Sequence, residues 1–141
     1  MIILDTDHLT VIQRRSEPAC SNLQVRLERF SQVRVCTTIV NFEEQMRGWL
    51  SVIASATKRE KELFAYERLQ ALVGFFAEVD IVGYDQSAAE GFAELRRLKL
   101  RIGPMDLKIA AIAISNHAML ASANLRDSAR VPGLRVEDWL H

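Results

Sequence analysis

Met1-Ile2-Ile3-Leu4-Asp5-Thr6-Asp7 decides the fold: an apolar run that reads as a short strand meets two carboxylates bracketing a threonine. Four further stretches read as strands, at residues 33–40, 77–83, 118–122 and 134–136. Val33, Val35 and Ile39 alternate in part, and Val79, Ile81 and Val82 supply β-branched content. The apolar spacing between strands is helical. Ala19, Leu23, Leu27 and Phe30 share a face, as do Phe42, Met46, Trp49, Leu50 and Ile53. Leu63, Tyr66, Leu69, Leu72, Val73 and Phe76 form a longer stripe, with Thr57–Lys61 as the turn before it. Alternating strands and helices predict an α/β fold with a mostly parallel sheet of about five strands flanked by helices. Residues 1–141 are expected to form a single domain.

Four acids fall where such elements end or begin: Asp5, Glu44, Asp106 and Asp127. In an open α/β sheet these positions converge on one crevice. Clustered carboxylates suit a hard divalent cation such as Mg²⁺, and phosphodiester hydrolysis is a main use of such an ion.

Each acid also has a plainer reading. Asp5 or Asp7 can cap a helix at Leu9–Arg14, although two acids around Thr6 fit a metal ligand plus a cap better. Asn41-Phe42-Glu43-Glu44 has the spacing of a capping box. Gly48, one turn below Glu44, costs ~1 kcal/mol mid-helix and points to a close approach by another backbone. Gly103-Pro104 breaks a helix and leaves Asp106 in the first turn of the next, where the helix dipole favours an acid. Ala110, Ala111 and Ala113 predict tight packing of that helix on the sheet. Ser122-Ala123-Asn124-Leu125-Arg126-Asp127 taken alone is a polar turn.

The composition narrows the classes. Lys and Arg total 18 against 18 Asp and Glu, so any nucleic-acid surface must be local. Arg96, Arg97 and Arg101 lead into Asp106 and are the candidate phosphate contacts, against a plain solvated face. Cys20 and Cys36 fit no disulfide framework or zinc pattern and read as free thiols. The few apolar residues before Asp5 are too short for a secretory leader, and no apolar run spans a membrane, so a cytoplasmic protein is expected. His8, His117 and His141 lack metal-ligand spacing; His8 adjoins the first acid pair as a supporting group. Phosphate loops, GxGxxG, CxxC and a nucleophile elbow are absent.

In order, these motifs resemble the PIN-domain ribonucleases of the toxin class, the VapC toxins of bacterial toxin–antitoxin pairs. The resemblance spans Ile2–Asp7, then Thr38-Ile39-Val40-Asn41-Phe42-Glu43-Glu44 with Gly48. It continues through Ile102-Gly103-Pro104-Met105-Asp106 with Ile109-Ala110-Ala111, and closes with Ser122–Asp127, Val131-Pro132-Gly133-Leu134 and Trp139. An acid four residues before the glycine selects Glu44 over Glu43. Asn41 and Ser122 stand where threonine is usual, and Ser128 where an aromatic is usual.

The resemblance implies a PIN-like three-layer sandwich, a homodimer, and endonucleolytic cleavage of structured RNA with Mg²⁺ or Mn²⁺. It implies an antitoxin whose C-terminal segment fills a groove and blocks the site. Asp5, Glu44, Asp106 and Asp127 would be the catalytic, metal-holding acids, with Thr6, Asp7, Ser122 and Asn124 in support. Two other classes compete. A non-catalytic PIN-fold binding module would have lost acids, and all four remain. A haloacid-dehalogenase-type phosphatase would use Asp5 and Asp7, but it wants threonine or valine at Leu9 and a downstream acid pair.

Overall fold

The computed structural model describes all 141 residues. Five strands form one sheet: β1 (Ile2–Leu4), β2 (Val35–Thr38), β3 (Ile81–Val82), β4 (Met119–Ala121) and β5 (Arg135–Glu137). The helices are α1 (Thr6–Arg14), α2 (Ala19–Arg29), α3 (Ile39–Ser55), α4 (Arg59–Ala77), α5 (Gln86–Arg97), α6 (Pro104–Ser115) and α7 (Leu125–Ser128). Strand order is β3-β2-β1-β4-β5, and every pair is parallel. Ile3 sits opposite Cys36 on one side and Leu120 on the other, which fixes the central register.

Period-two alternation sends β1 into two cores. Ile2 and Leu4 pack with Leu9, Leu23, Leu72, Phe76 and Trp139, beneath α1, α2 and α4. Ile3 faces the other way, onto Ala88 of α5 and Ile109, Ile112 and Ala113 of α6. Sheet and two helical layers give the expected three-layer sandwich. Ala110 and Ala111 turn away from the sheet toward Leu95, and Ala111 Cβ lies 3.8 Å from where a Cβ on Gly91 would stand. The small-residue face therefore serves α5–α6 packing, and only Ala113 meets the expectation of sheet contact.

Several boundaries differ from those expected. Residues 39–40 leave the strand because Thr38 caps α3: its hydroxyl accepts from the Asn41 amide at 3.1 Å. The 77–83 strand shrinks to Ile81–Val82, since α4 runs on through Ala77. α1 begins at Thr6 rather than Leu9, with Asp5 as its N-cap. The stripe on α4 is split: Leu72 and Phe76 are buried, while Leu63, Tyr66 and Val73 face outward.

Candidate active site

Three strand ends build the site. Asp5 follows β1, Ser122 follows β4, and Thr38 with Asn41 turns the chain from β2 into α3. The chain crosses from β1 to β2 on one side and reaches β4 on the other, so a crevice opens at the carboxyl ends of these strands.

Asp5 is gripped from every side. Its Oδ1 accepts from the Thr6 amide at 2.8 Å and from Asn41 Nδ2 at 2.9 Å, and its Oδ2 accepts from Ser122 Oγ at 2.8 Å. Burial raises its pKa, and the charge of Asp7 adds to that; the donors from Ser122, Thr6 and Asn41 work against it. Both oxygens thus accept from the protein itself, while Oδ2, with a single donor, keeps acceptor capacity.

Glu44 sits in the second turn of α3. The expected capping box around it lies three residues earlier, where Thr38 is the cap and Asn41 fills the position usually held by Glu or Gln. Glu44 is thereby free of any capping duty. Its Oε1 accepts from Thr6 Oγ1 at 3.2 Å. Burial, then the charges of Asp5 and Asp106, push its pKa up to about 7.

Asp106 occupies the first turn of α6, as expected, after Pro104 at the helix start. Its pKa is also raised, first by burial and then by Asp5, Asp127 and Asp7. Asp127, in α7, accepts from Asn124 Nδ2 at 3.1 Å and faces Arg130 at 3.6 Å. Asp5, Asp106, Asn124 and Asp127 together line a narrow cleft of about 20 Å³, enough for a particle of water or ion size. Glu44 lies outside that cleft.

Glu44 still feels the charges of Asp5 and Asp106, and Asp106 those of Asp5 and Asp127, so the acids are neighbours. They do not close into one tight coordination sphere: no three His, Cys, Asp or Glu side chains stand in a metal-ligating arrangement. The physical reason is local, because Asp5, Glu44 and Asp127 are each turned to their own donors. The donor chemistry nonetheless fits a hard divalent cation, being anionic, all-oxygen and mutually repulsive.

The supporting residues are more structural than expected. Ser122 is fully buried and holds Asp5, so it cannot meet a phosphate. Asn124 holds Asp127. Asp7 accepts from the amides of His8 and Ala123 and faces the His8 ring. The structure adds Asn41, which the sequence marked as a capping residue and as a departure from threonine but not as a partner of Asp5. Arg96, Arg97 and Arg101 are all exposed, and Arg96 lies over the Phe92 ring at 5.6 Å.

Beside the acids runs a groove of about 590 Å³ between α1, α3 and α4. Thr6, Gln13, Gln45, Trp49, Phe64 and Arg68 line it, and Thr6 connects it to Glu44. Gly48 also faces this groove, and a Cβ there would meet nothing within 4 Å. The expected close approach to Gly48 is therefore not made by any part of this chain.

No protein-family profile matches the chain. It is 32% identical to the tRNA(fMet)-specific endonuclease VapC of Salmonella typhimurium over 118 residues, 79% of this chain and 82% of that protein. It is also 32% identical to the tRNA(fMet)-specific endonuclease VapC of Shigella flexneri, across 97% of this chain and 96% of that one. Among solved structures, DNA-bound VapBC from Salmonella typhimurium aligns with a TM-score of 0.73 at 29% identity, covering 98% of this chain and 97% of that one. With the acidic crevice at the strand ends and this likeness along nearly its whole length, the chain belongs to the VapC ribonuclease family, the toxin half of VapBC toxin–antitoxin pairs.

Proposed function

We propose that this protein is a divalent-metal-dependent endoribonuclease that cuts RNA at the crevice formed by Asp5, Glu44, Asp106 and Asp127. The observation that carries the reading is the burial of three neighbouring acids, Asp5, Glu44 and Asp106, which raises the pKa of each, with the charge of Asp5 adding to the rise at both Glu44 and Asp106. Nothing in a fold's stability favours such crowding, and sites that perturb several acids together are commonly functional.

Mg²⁺ or Mn²⁺ is the cofactor this donor set suits, held by Asp5 and Asp106 and completed by Glu44 and Asp127. Such an ion supplies a bound water of lowered pKa and positive charge opposite the phosphate oxygens. The chain's part is orientation. Asn41, Ser122 and the Thr6 amide fix Asp5, and the Thr6 hydroxyl fixes Glu44. Arg96, Arg97 and Arg101 supply exposed positive charge for RNA phosphates. An antitoxin segment laid along the groove beside Thr6 would cover Glu44 and block access. The same reading makes the protein a cytoplasmic homodimer.

Antitoxin-free protein incubated with RNA should cleave it in Mg²⁺ or Mn²⁺ and stop in EDTA. Asp5→Asn should lower the rate at least ~100-fold, a usual loss for an electrostatic or metal-orienting group. Undiminished cleavage by that variant, or in EDTA, overturns the reading.

A further inference from the structure

We propose that His8 is a positioning residue for the acidic site, acting through Asp7; the functional half of this inference rests on the reading of the crevice as the place of RNA cleavage. His8 is fully buried, and its ring joins two parts of the chain far apart in sequence. The Trp139 backbone N–H donates to Nε2 at 3.2 Å. A backbone amide can only donate there, so Nε2 accepts and the ring presents its Nδ1–H to the other side. On that side stands Asp7 Oδ1, at 2.5 Å. The C-terminal segment thereby sets the tautomer, and the tautomer aims a donor at Asp7.

Asp7 passes the constraint on. Its Oδ2 accepts from the Ala123 amide at 2.8 Å. Ala123 lies between Ser122, which donates to Asp5, and Asn124, which donates to Asp127. Asp7 therefore holds the turn that delivers both donors to the acids. The far end of this line is firmly anchored. Trp139 stacks on Phe30 with ring centroids 5.1 Å apart, and the Leu140 carbonyl accepts from Asn22 Nδ2 at 2.8 Å. A core histidine without this role would affect stability alone.

Two substitutions separate the two ends of the ring. His8→Asn places an amide nitrogen near the Nδ1 position, keeping the donor to Asp7 while removing the acceptor for Trp139. His8→Gln places an amide oxygen near the Nε2 position, keeping the acceptor for Trp139 while removing the donor to Asp7. Both variants should melt lower than wild type. In RNA cleavage, His8→Gln should lose at least about 10-fold in kcat with KM within about twofold, the usual scale for a group that orients a ligand. His8→Asn should stay within about threefold of wild type in kcat. Hydrogen exchange at the Ala123 amide should be at least about 10-fold faster in His8→Gln than in His8→Asn. If kcat falls equally in both variants, or survives in His8→Gln, the proposal is overturned. Should wild-type protein cut no RNA, the proposed function fails on its own, and Ala123 exchange alone decides whether His8 positions the turn. Equal exchange in the two variants would then refute it.

Discussion

Asn41 Nδ2 donates to Asp5 Oδ1 at 2.9 Å, joining the start of α3 to the end of β1. The amide cannot be turned the other way. Its Oδ1 faces the Thr38 backbone N–H at 3.3 Å, which is a donor only, so the nitrogen must point at Asp5 and Thr6. One side chain thus completes the α3 capping box and orients the central acid.

Asn41→Ala should accordingly hurt twice. It removes a capping partner and strips a donor from each of two partly buried acceptors, Asp5 and Thr6, a loss of about 1–3 kcal/mol. Cleavage should fall at least about 10-fold as Asp5 loses its tether. Urea unfolding reads the first effect and single-turnover kinetics the second. Wild-type stability with wild-type activity would show the contact to be idle.

How far the sequence reaches is clearest at this boundary. The β1 run, Asp5 and Asp106 are legible because apolar-to-acid and Gly-Pro transitions are local signals. The start of α3 is not, because Ile39 and Val40 are β-branched and prolong the strand pattern past the cap at Thr38. The outward turn of Leu63, Tyr66 and Val73 is invisible for a related reason: helical spacing groups residues by face but does not say how much of that face a core covers. The contact of His8 with Trp139 spans 131 positions and leaves no trace in either local pattern.

Glu44 gives a pH prediction with a definite sign. Its pKa rises on folding from 4.5 to about 7, so between those values the folded state binds more protons than the unfolded one. Stability from this group therefore increases as pH falls from about 7 toward 4.5, and is lost as pH rises through that window. The raised pKa values of Asp5 and Asp106 act in the same direction. In EDTA the protein should melt higher at pH 5.5 than at pH 7.5, and Glu44→Gln should flatten the difference. A melting temperature that climbs with pH across this range would contradict the raised pKa of Glu44.

Gly48 offers a test of the groove. It lies inside α3 with open space where a Cβ would go, so Gly48→Ala should stabilise the fold by about 0.5–1 kcal/mol. The added methyl enters the groove, and antitoxin affinity should drop if a segment packs closely there. Calorimetric unfolding of the free protein and titration with the antitoxin separate the two effects. Destabilisation of the free protein would mean that a neighbour unseen in this fold already occupies the space.

Arg96, Arg97 and Arg101 can be tested by salt. Removing a side chain that neutralises one phosphate should reduce the slope of log affinity against log salt by roughly 0.7 for single-stranded RNA. Arg97→Ala and Arg101→Ala are the cleaner pair, because Arg96 also covers the Phe92 ring and its removal would disturb packing. Unchanged slopes in both variants would return these residues to ordinary surface.

Asp106 provides the sharpest separation of function from stability. Asp5 is a poorer subject despite its place at a strand end, because it is the N-cap of α1 and accepts from Thr6, Asn41 and Ser122. Replacing it removes an N-cap contact and repulsion together. Asp106 has no hydrogen-bond partner among the protein's own side chains or amides, while burial and the charges of Asp5, Asp127 and Asp7 all disfavour its ionised form. Only the helix dipole favours the charge, by ~0.3–1 kcal/mol. Asp106→Asn should therefore raise stability in EDTA at neutral pH, by about 0.5–1 kcal/mol, the range typical of relieving a charge conflict. The same variant should lose most of the Mg²⁺-induced rise in melting temperature, because that rise follows the logarithm of metal concentration over dissociation constant. Cleavage should fall at least ~100-fold. A variant that melts lower in EDTA yet keeps its full response to Mg²⁺ would make Asp106 a first-turn helix acid and move the metal site elsewhere.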